Sequence, residues 1–368
     1  MFAEVCSAAM TPDHVAEEFG QLEPADGRTR PTSLTRPPAL QPGDRVAVLS
    51  ISSPADAEGL ALGLDALRFA GLDPVVYPSA TEQGTVRPYL AGDDRIRVAD
   101  LQAALTDPSI AGIIFATGGS GSQRTLEAIG DDLLTAKSPK VLAGYSDVTA
   151  ILEAVGRKLG WASLMSPMVT SRGPTAHYSY ASMLRALMQP ERSMQISYPQ
   201  ATTVRSGKAV GRTLGGNLTL LTSSIGTDTS WPADGGILLI EDENEEEYRL
   251  DRMLTQLRRS GYLHGVAGII AGTFVGCGEP ALIEEVLTER LGDLGVPMIA
   301  WANVGHGGYF QTFPIGIAAE LDADAKTLNL LDPPLRSAAE LAELTEPELA
   351  EAAELSDPAD KPATTGRL

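Results

Sequence analysis

The sequence predicts an α/β protein in two parts: an N-terminal α/β domain on a parallel sheet, then a C-terminal α/β domain, with a ligand crevice expected between them. Three observations carry this. From Asp44 onward, apolar runs of strand length alternate with longer helical patterns, the rhythm of a parallel sheet covered on both faces. The alternation breaks down from Ala162 to Gly211, where Pro167, Pro174, Pro190 and Pro199 punctuate the chain, and resumes beyond. Glycine-bearing turns also follow two successive strands of the first part, at the carboxyl ends where such sheets bind ligands.

Taken in order, strands are expected over 45–50, 74–77, 111–116 and 141–143, and helices over 55–69, 93–106, 123–129 and 148–159. The second part carries Leu214-Gly-Gly-Asn-Leu-Thr-Leu-Leu, an apolar strand over 236–240 that runs into Glu241-Asp242, and a helix over 248–260. Strands over 268–271 and 297–300 follow, then Val304-Gly305-His306-Gly307-Gly308. These set the domains: a disordered tail at 1–39, an N-terminal domain at 40–165, a linker at 166–211, a C-terminal domain at 212–332 and an acidic tail at 333–368. Both tails are expected to be dispensable, so that 40–333 folds alone.

A hydrophobic content of 43% fits a globular chain of 368 residues, long enough for one large or two medium cores. The formal net charge of −20 repels phosphate backbones and argues against nucleic acid as a partner. No run of about 18 apolar residues is present to span a bilayer, and no basic start followed by an apolar run marks a secretory signal. A cytoplasmic protein with no membrane partner is the expectation. Two cysteines, Cys6 and Cys277, make neither a disulfide framework nor a thiolate metal site, and no metal or cofactor is called for.

Candidate chemistry starts at Gly144-Tyr-Ser-Asp-Val-Thr. Ser146 falls on a sharp strand-to-helix turn, which exposes a hydroxyl and aims backbone N–H groups at a nearby oxyanion. The same pattern also fits a serine that caps a helix. Thr117-Gly118-Gly119-Ser120-Gly121 follows the preceding strand. It lacks the Lys-Ser/Thr of a phosphate loop, and reads either as a plain turn or as a place where glycine N–H groups approach a carbonyl. Of four histidines, His14 lies in the tail and His177 and His264 in polar turns, whereas His306 is flanked by glycines after a strand. Glu241 is a carboxylate leaving an apolar strand, suited to hold an imidazole N–H or to cap something local. Ser146, Glu241 and His306 follow the chain order nucleophile, acid, base that α/β-hydrolases also use.

These segments resemble the LD-carboxypeptidases of murein recycling, grouped with the microcin C immunity peptidases. The resemblance runs through Leu40-Gln-Pro-Gly-Asp-Arg-Val-Ala-Val, Tyr89-Leu-Ala-Gly-Asp, Gly118-Gly119, Gly144-Tyr-Ser-Asp-Val-Thr and Leu214-Gly-Gly-Asn-Leu-Thr-Leu-Leu. It continues in Ile237-Leu-Leu-Ile-Glu-Asp, Tyr248-Arg-Leu-Asp-Arg-Met-Leu-Thr-Gln-Leu, Gly305-His306 and Pro314-Ile-Gly316. It implies a serine peptidase with Ser146 as nucleophile, Glu241 as acid and His306 as base. The N–H groups of Gly118, Gly119 and Asp147 would form the oxyanion hole. It further implies a homodimer and a murein tetrapeptide that loses its terminal D-Ala.

Two departures qualify the substrate. Thr117 and Ser120 stand where carboxypeptidases of the family commonly have an arginine and a tyrosine, and Ser166-Pro167-Met168 replaces His-Gly-Pro-Met. An arginine clamps a substrate carboxylate, and the immunity-type members, which cleave aminoacyl-nucleotide antibiotics, also lack it. Those members carry a longer, aromatic-bearing segment before Gly-Gly-Asn. Here 166–214 is short and lacks Trp, which favours the murein peptide. A catalytically silent binding protein of the same fold is the third reading, and Tyr309 and Phe310 stay open between pocket lining and packing.

Overall fold

The computed structural model describes residues 32–136 and 138–343, the side chains of 133–135 excepted. The parallel rhythm read from the sequence appears as β1 (Arg45–Leu49), α1 (Ala57–Phe69), β2 (Asp73–Val76), α2 (Asp94–Thr106), β3 (Ile110–Phe115) and α3 (Ser122–Ile129). Then come β4 (Val141–Gly144), α4 (Thr149–Lys158) and β5 (Ser163–Met165). Strands β2, β1, β3, β4 and β5 lie parallel in that spatial order. Their side chains are apolar in succession because both faces are covered: Val46 to Leu49 and Ile113 to Phe115 are all fully buried. Asp56 and Asp93 accept the backbone N–H of Gly59 and Ile96 and so start α1 and α2.

The stretch 166–211, read as a linker, holds α5 (Ala176–Met188), β6 (Gln195–Ser197), β7 (Thr202–Arg205) and the start of β8 (Lys208–Asn217). Its prolines sit between these elements. Met183, Ala186 and Leu187 of α5 share one face and are buried with Leu40, Val46 and Val48 beneath the first sheet. The apolar spacing of that face marked a helix that the polar Ser and Tyr positions around it disguised.

The rest of the chain builds a second sheet. It contains α6 (Leu218–Ser224), β9 (Gly236–Glu243), α7 (Glu247–Arg259), β10 (Gly268–Val275), α8 (Pro280–Leu291) and β11 (Met298–Ala300). After these come β12 (Phe313–Ile315), β13 (Ala318–Asp322), β14 (Thr327–Leu330) and α9 (Ala338–Glu343). The eight strands run β6-β14-β13-β8-β9-β10-β11-β7, parallel from β8 to β11 and antiparallel at the flanks. Strand β12 leaves this part of the chain and pairs antiparallel with β5, closing the first sheet.

The packed body reaches further toward both termini than the expected tails allow. The outer parts of the expected tails, 1–31 and 344–368, lie outside the described residues. Within 32–39 and 333–343 the chain packs onto the body: Leu34 N–H donates to Gly316 O at 2.7 Å, Ala39 N–H to Arg336 O at 2.8 Å, and Arg36 pairs with Glu340 at 2.8 Å. Leu335 is fully buried.

Candidate active site

The chain enters the candidate nucleophile turn from β4, whose side chains are all buried, and leaves it through a short 3-10 turn, Ser146–Val148, into α4. Ser146 has φ = 62°. That left-handed backbone costs a residue with a Cβ roughly 1 kcal/mol, and such strain gathers at functional turns. The strain lifts the serine out of the sheet edge. Gly118 packs flat against it, so that a Cβ there would lie 3.0 Å from Ser146 Cβ and 3.1 Å from its Oγ. Gly119 follows with φ = 106°, and Ser53 braces the loop, its N–H donating to Gly118 O and its Oγ accepting from Ser120 N–H. The backbone N–H groups of Gly118 and Gly119 have no backbone acceptor among the described residues.

Asp147 carries a role that the sequence reading missed. Its buried carboxylate accepts Ser52 Oγ–H at 2.6 Å and Ser122 N–H at 2.8 Å. One side chain thus ties the nucleophile turn to the end of β1 and to the start of α3, the element that follows the glycine loop. Its direction was not legible from Ser-Asp-Val-Thr alone.

Glu241 lies inside β9 rather than beyond it, since the strand continues to Glu243. It is fully buried. Its Oε2 accepts His306 Nδ1–H at 2.7 Å and His306 N–H at 3.2 Å, while Oε1 accepts Asn217 Nδ2–H at 3.4 Å. Because a carboxylate only accepts, it selects the imidazole form protonated on Nδ1. Gly305, at φ = 114°, allows this approach, because a Cβ there would stand 2.4 Å from Glu241 Oε2. Thr273 Oγ accepts Gly307 N–H at 3.1 Å and holds the turn from the neighbouring strand. Burial pulls the His306 pKa down, but the Glu241 hydrogen bond and the charges of Glu241, Glu243 and Asp242 outweigh it and leave it raised above 6.5. Asp242 is pushed up to about 6, by burial first and by Glu241 beside it, with Asn217 and Thr219 opposing.

The two halves meet through Tyr145. Its ring lies 4.8 Å from the His306 ring and 4.9 Å from that of Phe310, which places the residue before Ser146 directly on the imidazole. Burial and Glu241 push the Tyr145 phenol up to about 12, so it stays neutral. Phe310 is buried packing, whereas Tyr309 is 36% exposed and meets Tyr178 edge-on at 6.1 Å. Ser146 Oγ has no hydrogen-bond partner among the described residues, and His306 Nε2 instead lies 3.2 Å from Glu243 Oε1.

The other candidates separate from this cluster. His177 and His264 are exposed. Cys277 is buried in the core of the second sheet, its thiol raised to about 11 by that burial, which leaves no thiolate to attack with. His14 and Cys6 lie outside the described residues. Among the described residues no group of three or more His, Cys, Asp or Glu is arranged to hold a metal ion, and no helix is long and apolar enough to cross a membrane.

Comparison with known proteins gives this arrangement a family. Residues 46–166 match the LD-carboxypeptidase N-terminal domain and 210–321 its C-terminal domain. A Streptomyces coelicolor protein named as a candidate carboxypeptidase is 42% identical over 305 residues, covering 83% of this chain and 98% of the relative. A probable murein peptide carboxypeptidase of Bacillus subtilis is 33% identical over 303 residues, covering 79% and 93%. Among solved structures, MccF in complex with glutamyl sulfamoyl guanosine superposes with a TM-score of 0.73 at 24% identity, over 82% of this chain and 99% of that one. With both domain models matched in order and the serine turn, acid and histidine falling within them, the chain belongs to the LD-carboxypeptidase family.

Proposed function

We propose that the protein is a serine carboxypeptidase that hydrolyses the LD-peptide bond to the terminal D-Ala of murein tetrapeptides, through Ser146, Glu241 and His306. The observation that carries this is the 2.7 Å bond from His306 Nδ1 to the buried Glu241, beside a serine held in a strained turn. The murein peptide name of the Bacillus subtilis relative supports the substrate class.

The chemistry follows from those contacts. His306 Nε2 takes the Ser146 proton as Oγ attacks the carbonyl carbon, and the carbonyl oxygen gathers negative charge. The N–H groups of Gly118, Gly119 and Asp147 donate to that oxygen. Losing one such donor raises the barrier by about 3 kcal/mol, roughly a hundredfold in rate. The C–N bond then breaks and the imidazolium gives its proton to the leaving amine of D-Ala. Water repeats the sequence on the acyl-serine, with His306 as base again. Glu241 fixes the ring and offsets its positive charge throughout. The reaction needs no cofactor, and a cytoplasmic homodimer with an N-terminal nucleophile domain and a C-terminal acid–base domain completes the proposal.

The second reading, hydrolysis of aminoacyl or peptidyl nucleotide conjugates, is favoured by Thr117 and Ser120 in the glycine loop, which leave it without a guanidinium. Mass-spectrometric detection of D-Ala release from a muramyl tetrapeptide, with wild type and Ser146→Ala side by side, tests the proposal. Release by wild type alone is expected. Release by neither moves the assignment to the nucleotide conjugates, and equal release by both removes the serine mechanism.

A further inference from the structure

His306 lies between two carboxylates rather than one. Glu241 holds Nδ1 at 2.7 Å, and Glu243, two residues along the same strand, lies 3.2 Å from Nε2. Both partners accept only: Glu241 accepts a hydrogen bond from Nδ1, whereas Glu243 stands at ion-pair distance from Nε2 and is held there by charge when the ring is protonated. A ring in that state has no lone pair for the Ser146 proton. The two carboxylates favour the protonated ring, and in the free enzyme Glu243 stands against the nitrogen that would serve Ser146.

The two acids are not equivalent. Glu241 is fully buried and pinned by Asn217 and by two N–H groups of His306. The Glu243 side chain is 43% exposed at the strand end. The acids around it are already engaged: Asp242 accepts from Asn217 and Thr219, and Glu245 pairs with Arg249 at 2.5 Å. Among the described residues Glu243 pairs with no lysine or arginine. It is thus the one acid of 241–245 with room for a cation from solution.

We propose that Glu243 is a substrate-gated positioning residue: it caps His306 Nε2 in the free enzyme, and an ammonium group on the incoming peptide draws it away and frees that nitrogen for Ser146. The proposal rests on the serine-peptidase reading above and adds a preference for a third residue that bears a free amine. Glu241 and Glu243 face the ring from β9, Asp242 acts on it through its charge alone, and Tyr145 packs on it from the turn before Ser146. From β10, the Thr273 hydroxyl bonds the backbone of Val304 and Gly307 on either side of His306. Removing the Glu243 charge leaves the other three in place, so any change in the ring reads Glu243.

Two measurements on the full chain test this. Ring-nitrogen NMR titration of His306, assigned with His306→Gln, is compared between wild type and Glu243→Gln. A midpoint lower in the variant by about one pH unit, a tenfold loss of proton affinity, is expected; an unmoved midpoint overturns the cap. The second is kcat/KM for a muramyl tetrapeptide with lysine at the third position and for its Nε-acetylated twin, across pH. Wild type should favour the free amine by about tenfold, and Glu243→Gln should lose the preference while its acid limb moves to lower pH. A preference that persists in the variant, or a uniform loss with the limb unmoved, overturns the gate. Should wild type cleave neither peptide, the murein reading fails, and the titration, which needs no turnover, still decides whether Glu243 caps the ring.

Discussion

Glu241→Gln keeps the shape of the side chain and removes one acceptor from a site with none to spare. Oε2 receives two N–H groups of His306 and Oε1 receives one from Asn217, so an amide NH2 at either end meets a donor. If it faces the ring, Nδ1 must accept, the proton moves to Nε2, and His306 can no longer act as base. If it faces Asn217, that amide has to flip. Asn217 Oδ1, however, accepts Leu220 N–H at 3.2 Å to start α6, and Nδ2 donates to Asp242 at 2.9 Å. Giving up those bonds in a buried place costs about 1–3 kcal/mol. Either orientation leaves a buried donor unpaired, since a ring-facing amide also opposes His306 N–H; where the amide faces the ring, the wrong tautomer lowers kcat by about 10³- to 10⁴-fold, equivalent to about 4–5 kcal/mol of barrier. The assay is D-Ala release with single-turnover kinetics, and the melting temperature is measured alongside. A variant within tenfold of wild type refutes the argument, as does one whose loss of activity is matched by a loss of folded protein.

Three further outcomes are expected. Ser146→Gly relieves the φ = 62° strain and should raise the melting temperature by about 2–4 °C, from roughly 1 kcal/mol of released strain, while abolishing hydrolysis; a lower melting temperature by calorimetry counts against the strain. Glu153, buried on α4, accepts Ser224 Oγ–H, Trp231 N–H and Tyr262 Oη–H, and burial pushes its pKa up to about 7. A carboxyl raised in the folded state contributes stability below its unfolded value near 4.5 that is lost as pH rises through about 7. Wild type should therefore lose on the order of 1–2 kcal/mol by urea unfolding between pH 6 and 8, and Glu153→Gln should not. Equal slopes in the two proteins remove Glu153 as the cause. A chain spanning 32–343 should fold and melt like the full chain. Cut to 40–333, it loses the Leu34, Arg36 and Leu335 packing and should melt several degrees lower; equal melting would restore the shorter boundary.

The first sheet was legible because its strands are buried on both faces, which writes them as unbroken apolar runs such as Ile113-Ile114-Phe115. The flanking strands of the second sheet were not. Thr202–Arg205 is exposed at both ends and only half-buried between them and pairs only along one edge, with β11, so its apolar signal is thin. Gly215 and Gly216 lie inside β8 with φ of 110° and 148°, and a pair of glycines reads as a turn. At the site, the residue types of Ser146, Glu241 and His306 were visible. The contact of Glu243 with Nε2 was not, because strand alternation puts 241 and 243 on one face only if β9 extends through both, and Asp242-Glu243 looks like the start of a polar loop.

The path of the chain between the sheets is what lets the proposed mechanism draw on both halves of the protein. The segment bearing His306 leaves the second sheet at β11 and enters the first at β12, which pairs with β5 through Met165, Leu164 and Ser163. The histidine is therefore suspended between the sheets, anchored at one end beside Glu241 and at the other beside the strand next to β4. A shift of either sheet changes the Tyr145–His306 stacking before it changes the Glu241 bond, because Glu241 and its ring partner hold each other through two N–H contacts whereas Tyr145 meets the ring only by packing. In the proposed mechanism the Glu241–His306 pair is thus held as one unit, and its approach to Ser146 is set by the packing of Tyr145.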